Sequence, residues 1–238
     1  PLGGTAIGTG LGSAAGFQNI VFKHLNDISG LPVMPAHNRF DAMQNLDEFQ
    51  RLSAELETAS GAMAKIAKDF ILLSSGPAGG LAEISLPSVQ PGSSIMPGKV
   101  NPVIPMSTVQ LAQIVHGNHC CIVMACQDGM LEKNHYEHSV ASRLFDSLHR
   151  VSEIARTFAT QCIDGIEANA ERSMANLLNS SALATIFVPK LGYSEVSKLV
   201  KESLTCDETF LQLAQKRQLI SEAEILDEIK RSVRVDNL

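Results

Sequence analysis

The chain has 238 residues, of which 45% are apolar and 18% charged, with a net charge of −6 at neutral pH. An average soluble domain has about 25% charged residues, so this composition indicates that a partner covers part of the surface. The acidic balance and the lack of a long basic run argue against nucleic-acid binding. No apolar stretch reaches the roughly 18 residues of a membrane span, and no signal peptide is recognisable. We therefore expect a cytoplasmic protein with no membrane partner.

The cysteines are odd in number, which favours reduced thiols over a disulfide framework. They are Cys120, Cys121, Cys126, Cys162 and Cys206. Four histidines lie near the first two of them in sequence, namely His116, His119, His135 and His138. His-x-x-His is a known metal-ligand spacing, but histidines three apart on a helix are common. We interpret them as helix surface or interface, and we predict no metal site.

Hydrophobic periodicity predicts several long helices. After a glycine-rich stretch at 1–12, a helix is expected over about 13–28. Apolar residues then recur every three or four positions, which predicts one continuous helix over 40–75. Further helices are expected over 104–130 and 140–162. Together they predict an all-α fold, a long and mainly antiparallel helical bundle.

The end of the chain has shorter apolar segments that are interrupted more often. It closes on a charged helix over 221–231, in which Ser221 and Glu224 have the spacing of a capping box. We therefore divide the chain into a partial central bundle over 1–164 and a small helical C-terminal domain over 165–238.

Six of the ten prolines fall within 77–105, together with four glycines. Because proline breaks helices, this stretch is expected to be a long loop, and such loops are often functional. Its centre, 92–102, combines two hydroxyls, an ammonium and an amide, and a glycine-rich turn can add free backbone N–H groups that bind a carboxylate. A flexible linker is the alternative, against which the apolar Ile95, Met96 and Val100 argue.

The residues GSSIMPGKVNP at 92–102 are similar to the signature of the fumarase/aspartase superfamily. Other blocks that resemble this family lie at 3–10, 75–77, 83–87, 117–119, 131–134 and 165–169. The run Val103-Ile104-Pro105 after the signature resembles the aspartate ammonia-lyase branch of the superfamily more than the fumarase branch. The resemblance also implies the long helical bundle of that family.

The chemistry that the resemblance implies is an elimination that releases fumarate from a C4 dicarboxylate, most simply L-aspartate to fumarate plus ammonia. Hydration of fumarate to malate is the alternative within the family. Ser93 would be the proton-abstracting base, held as an oxyanion by N–H donors and a cation. Ser94 would donate to the carboxylate that gains charge, and Lys99 and Asn101 would hold the other carboxylate. Neither a metal nor a cofactor is implied.

The resemblance further implies a homotetramer whose active sites combine residues of several subunits. The family's other carboxylate-binding segments match nothing in this chain, so we expect roughly the N-terminal half of the family's length to be missing and the chain alone to be inactive. Three positions differ from the family pattern, because Met106 replaces a glutamate, Ala78 an arginine and His138 a proline. A non-catalytic helical assembly module is the alternative from a different class.

Overall fold

The computed structural model describes residues 1–232 and divides into two compact units. The first unit consists of Pro1–Ile71 and Leu86–Ile166. The second consists of Leu72–Ser85 and the residues from Glu167 onward. That the predicted domains over 1–164 and 165–238 fold as separate bodies stays a prediction, and residues 233–238 lie outside the described residues.

Helices dominate the first unit. They are α1 (Phe17–Ser29), α2 (Arg39–Gln44), α3 (Asp47–Leu73, which leaves this unit after Ile71), α4 (Val103–Gln127) and α5 (Glu137–Gln161). No Asp, Glu, Lys or Arg occurs anywhere in α4. Its buried residues, such as Val115 and Ile122, line one face of the helix, and this face packs into the bundle.

Two apolar clusters show how α3, α4 and α5 pack. The first contains Leu46, just before α3, with Ala125 near the end of α4 and Val140 near the start of α5. The second joins Ala67 of α3 and Phe158 of α5 to the start of α4. Since the end of α4 meets the starts of α3 and α5, α4 runs antiparallel to both. The predicted all-α, mainly antiparallel bundle is therefore confirmed.

The single helix predicted over 40–75 is wrong, because the chain leaves the helical conformation between α2 and α3. Asn45 is extended, with φ −105° and ψ 128°, and its side-chain Nδ2 donates to Asp41 Oδ1 at 2.6 Å. The next residue, Leu46, packs into the apolar cluster that contains Ile122. A polar side chain that bonds locally competes with the helix here, and burial of Leu46 stabilises the break.

The connection between α4 and α5 is organised by Asn134, whose side chain is buried at 1% exposure. Its Nδ2 donates to the Ala125 carbonyl at 2.9 Å, and its Oδ1 accepts the Tyr136 N–H at 2.7 Å. Its own backbone N–H donates to the Met43 carbonyl of α2 at 3.1 Å. One residue therefore links the end of α4, the start of α5 and the end of α2.

We expect Asn134→Ala to lower the free energy of unfolding by about 3 kcal/mol, because a buried carbonyl and a half-buried N–H lose their partners at once. Urea denaturation measures the change. Asn19→Ala, at an exposed position of α1, is the control and should alter stability by no more than about 0.5 kcal/mol. Equal losses in both variants would contradict the linking role of Asn134.

The second unit begins with a two-stranded antiparallel sheet, in which β1 (Ile84–Ser85) pairs with β2 (Glu167–Ala168). Its helices are α6 (Ala170–Asn179), α7 (Val188–Leu191), α8 (Tyr193–Ser203), α9 (Phe210–Lys216) and α10 (Glu222–Ser232). Leu199 of α8 and Ala214 of α9 are fully buried at the centre of its core. The predicted series of short helical segments is thus present. No helix within residues 1–232 has the length and apolar character needed to cross a bilayer.

The α6 helix fixes the segment that precedes β1. Arg172 donates from Nε to the Leu81 carbonyl and from Nη2 to the Gly80 carbonyl, each at 3.2 Å. Asn176 donates to the same Leu81 carbonyl at 3.1 Å and to Glu83 Oε1 at 2.9 Å. These bonds satisfy carbonyls that a short strand leaves without a ladder partner.

The start of α10 has the predicted capping box. The Ser221 N–H donates to Glu224 Oε2 at 2.8 Å, and the Glu224 N–H donates to Ser221 Oγ at 3.3 Å. Lys190 of α7 also donates to Glu224, from Nζ to Oε1 at 2.5 Å. The bond from Lys190, with those from the Ser221 N–H and hydroxyl, lowers the pKa of Glu224 to about 2.

Because this pKa lies below its usual value of 4.5, ionised Glu224 stabilises the second unit above about pH 4.5, and this contribution is lost as pH falls towards 2. We expect Lys190→Met to raise the pKa of Glu224, since the largest cause of its lowering is removed. An NMR titration of the Glu224 carboxylate measures this. Lys201→Met, which removes an equal charge from α8, is the control, and an unchanged midpoint in Lys190→Met would contradict the assignment.

Candidate active site

The loop from 86 to 102 is anchored at both ends within the first unit. At its start, a Cβ atom on Gly165 would lie 2.7 Å from Pro87 Cγ, so the proline ring packs directly on the glycine. Leu86 and Ile104 pack on the same apolar cluster between α3 and α5. The glycine-rich part in the middle is therefore held at two fixed points, and the linker interpretation loses support.

The signature segment, residues 92–102, closes on itself through Gly92. A Cβ atom on Gly92 would lie 2.0 Å from the Lys99 carbonyl oxygen, so the two backbones are in direct contact. Asn101 donates from Nδ2 to the Gly92 carbonyl at 2.6 Å. The turn between them contains Gly98 at φ +76°, a left-handed conformation that favours glycine. The fold thus brings the serine end of the segment against its lysine and asparagine end.

Ser93 is half-buried, and its hydroxyl faces two backbone donors. Its Oγ accepts the N–H groups of Ile95 and Met96, each at 3.2 Å. Two N–H dipoles directed at one oxygen stabilise negative charge on it, as in an oxyanion hole. The neighbouring Ser94 is exposed and free to meet a ligand from solvent.

The other end of the segment is electropositive. Lys99 is exposed, and no ion pair of its ammonium occurs among residues 1–232. Asn101 uses one amide N–H for Gly92, which leaves the other N–H available. The 25-residue α4 begins directly afterwards at Val103, with no side-chain cap on its N-terminus. A helix N-terminus, an ammonium and an amide N–H together suit a carboxylate.

Of the three positions that differ from the family pattern, one lies beside this segment. Met106 is exposed on the first turn of α4, where its thioether can neither donate a proton nor pair with a cation. His138 lies at the start of α5, which packs near the opposite end of α4. Ala78 belongs to the second unit.

Comparison with known proteins agrees with these features. Residues 1–117 match the protein family described as lyase. The aspartate ammonia-lyase of Bacillus subtilis is 40% identical over 224 residues, which are 94% of this chain and 47% of that protein. The mitochondrial fumarate hydratase of Danio rerio is 36% identical over 222 residues, 93% of this chain and 44% of that protein. A class II fumarase structure from Schistosoma mansoni has a TM-score of 0.85 at 31% identity, covering 98% of this chain and 52% of that one.

The chain belongs to the fumarase/aspartase superfamily. The resemblance seen in the sequence is thereby confirmed, and the chain spans about half the length of the curated relatives that it matches. The relatives named for aspartate and for fumarate have similar identities to this chain, at 40% and 36%.

Elsewhere in this fumarase/aspartase-superfamily chain, two of the four histidines considered as metal ligands contact Glu57. His116 Nδ1 lies 2.5 Å from Glu57 Oε1, and His119 Nε2 lies 3.4 Å from Glu57 Oε2. His135 and His138 are exposed. Among residues 1–232, no three His, Cys, Asp or Glu side chains converge as metal ligands. The sequence does not reveal the contact between Glu57 and His116, since no spacing connects a residue of α3 to one 59 positions later.

Proposed function

We propose that this chain is the signature-bearing part of an aspartate ammonia-lyase, which converts L-aspartate to fumarate and ammonia. The observation that carries the proposal is the Ser93 hydroxyl, which receives two backbone N–H groups inside the segment that also presents Lys99. Curated aspartate ammonia-lyases that are 36% and 40% identical over more than nine-tenths of the chain support this substrate.

In the proposed reaction, Ser93 acts as an alkoxide and removes a proton from C3 of the substrate. A serine hydroxyl is a weak base in water, but the two N–H donors directed at its oxygen favour its ionised form. The C–H electron pair moves onto the adjacent carboxylate, where Ser94 donates a hydrogen bond. The pair then returns to form the double bond between C2 and C3 while the C–N bond breaks, its electrons leave with ammonia, and fumarate remains.

Lys99 and Asn101 would hold the second carboxylate of the substrate. The position of both residues supports this role, because Gly92 accepts the hydrogen bond of the Asn101 side chain and contacts the backbone of Lys99. Fixed donors orient a substrate before reaction and so lower the entropic part of the barrier. The charge that develops lies on carboxylate oxygens, which N–H groups and an ammonium can stabilise, so the proposed step needs neither a metal nor a cofactor.

We further propose that the protein acts as a cytoplasmic homotetramer whose active sites are shared between subunits. Large apolar side chains along α3 and α5 remain exposed in the single chain, among them Phe49, Leu52, Ile66, Phe145 and Leu148. Phe145 is 70% exposed, which is typical of a side chain that a partner covers. All five cysteines are free thiols, in accord with a reducing compartment.

The test uses a full-length protein, in which residues 1–238 follow the upstream segments that the family resemblance implies. It is mixed with L-aspartate and, separately, with L-malate, and fumarate is followed by its ultraviolet absorbance while ammonia is assayed in parallel. We expect fumarate and ammonia in equal amounts from L-aspartate, and no fumarate from L-malate.

Fumarate from L-malate alone would assign the chain to the fumarate hydratases, the second candidate, which the 36% identity to the Danio rerio enzyme favours. Inactivity towards both substrates, in a protein that sedimentation shows to be a folded tetramer, would favour the non-catalytic assembly module. The chain alone is the companion sample, and it should form no fumarate if the upstream segments supply part of the site.

A further inference from the structure

A second group of reactive side chains lies between α3 and α4 and has no contact with the signature segment. It consists of Cys120 and His116 on α4 and Glu57 on α3, which we call the thiol cluster. Cys120 Sγ lies 3.8 Å from His116 Nε2, and His116 Nδ1 lies 2.5 Å from Glu57 Oε1. The cysteine and the histidine are one helical turn apart, and both are exposed.

The order of atoms in the thiol cluster defines the role of each group. A carboxylate only accepts hydrogen bonds, so Nδ1 of His116 carries the proton that is directed at Glu57. Nε2 then presents its lone pair to the Cys120 thiol. Thiol, imidazole and carboxylate in this sequence form the arrangement that activates a sulfur nucleophile.

Glu57 is itself held in place by a second histidine. Its other oxygen, Oε2, lies 3.4 Å from His119 Nε2. His119 Nδ1 in turn lies 3.1 Å from the hydroxyl of Ser53, which is buried. The carboxylate that orients His116 is therefore tied to a buried position of α3.

We propose that Cys120 is a site of covalent modification by soft electrophiles of the activated-alkene class, with His116 as its base and Glu57 as a positioning residue. His116 Nε2 takes the thiol proton, and the sulfur forms a bond to the β-carbon of the alkene. The π electron pair moves to the α-carbon, which then takes a proton from the imidazolium. One S–C bond and one C–H bond form, no group leaves, and no oxidant is needed.

Three of the other four cysteines provide internal controls within the same molecule. Cys206 is also exposed, but its Sγ bonds to the Glu208 carbonyl at 3.8 Å, and it contacts no histidine among the described residues. Cys162 is 1% exposed, and burial raises the pKa of its thiol. Burial, with a smaller effect from Asp47, raises the pKa of Cys126. The molecule therefore contains one exposed thiol beside an imidazole, Cys120, and one exposed thiol without an imidazole among the described residues, Cys206.

The experiment treats the protein at pH 7 with limiting N-ethylmaleimide and measures the labelling rate of each cysteine by peptide mass spectrometry. We expect Cys120 to react at least about 10-fold faster than Cys206, since general-base assistance contributes this much or more. His116→Gln should lower the Cys120 rate to that of Cys206 and leave Cys206 unchanged. Glu57→Gln should lower it in part, and Glu57→Asp, which keeps the carboxylate, should restore some of the loss.

His149→Gln is the matched control, because it removes an exposed histidine of α5 that has no cysteine partner among the contacts of residues 1–232. Cys162 reports on folding, since it becomes reactive only if the first unit opens. If His116→Gln exposes Cys162, His116→Asn takes its place. A wild-type Cys120 rate equal to or below that of Cys206, or an unchanged rate in a folded His116 variant, would overturn the proposal.

Discussion

Ser93→Ala should lower the rate of fumarate formation by about 10³-fold, the range expected when a general base is removed. The methyl group cannot take a proton, and the N–H groups of Ile95 and Met96 lose the oxygen at which they are directed. The loss should fall on kcat rather than KM, because Lys99 and Asn101 still hold the substrate. Steady-state kinetics of the full-length protein with L-aspartate measure both constants.

Ser88→Ala is the matched control for this prediction. Ser88 is an exposed serine of the same loop that lies outside the signature segment, and its replacement should leave kcat within about two-fold of the original value. If Ser93→Ala retained most of its activity, the proton would have another acceptor and the proposed mechanism would be wrong, even if the substrate assignment survived.

The long helices could be predicted because their apolar residues keep one spacing over many turns. The helix expected over 104–130 is observed at Val103–Gln127, and proline before it and glycine after it mark both ends. The break at Asn45 could not be predicted in the same way. Leu46 continues the apolar spacing across the break, and only the local hydrogen bond of Asn45 to Asp41 reveals it.

The two-stranded sheet of β1 and β2 was not predicted from the sequence, for a different reason. A strand of two residues has no alternation that a sequence pattern can reveal. Ile84 and Ala168 pair through main-chain bonds, and the surrounding carbonyls are satisfied by side chains of α6, such as Arg172. Contacts between residues so far apart in the chain depend on the finished fold rather than on local preference.

The candidate site was predictable as a set of residues but not as an arrangement. The composition of 92–102 indicated an anion site, and the family resemblance gave Ser93, Ser94, Lys99 and Asn101 their expected roles. Neither one indicates which groups face the Ser93 hydroxyl, since its donors come from the backbone, which has no sequence signature. The need for glycine at position 92 is likewise apparent only from the structure, in which its backbone contacts that of Lys99.

Gly92→Ala should lower kcat/KM for fumarate formation by about 10²-fold, the loss that a displacement of about 1 Å in a reacting group produces. The new methyl carbon would lie 2.0 Å from the Lys99 carbonyl oxygen, a contact with backbone that no side-chain rotation relieves. The segment must therefore open, which strains the bond from Asn101 to the Gly92 carbonyl and moves Ser93 relative to Lys99.

Gly79→Ala is the control, because a methyl group at Gly79 meets nothing within 4 Å and its φ is not left-handed. Urea denaturation, run in parallel, should show that Gly92→Ala keeps nearly all of its stability, since the segment is a surface loop and the helices around it are unaffected. A large loss of activity with little loss of stability would place the effect in the geometry of the segment. Normal activity in Gly92→Ala would mean that the contact between Gly92 and Lys99 does not position the catalytic groups.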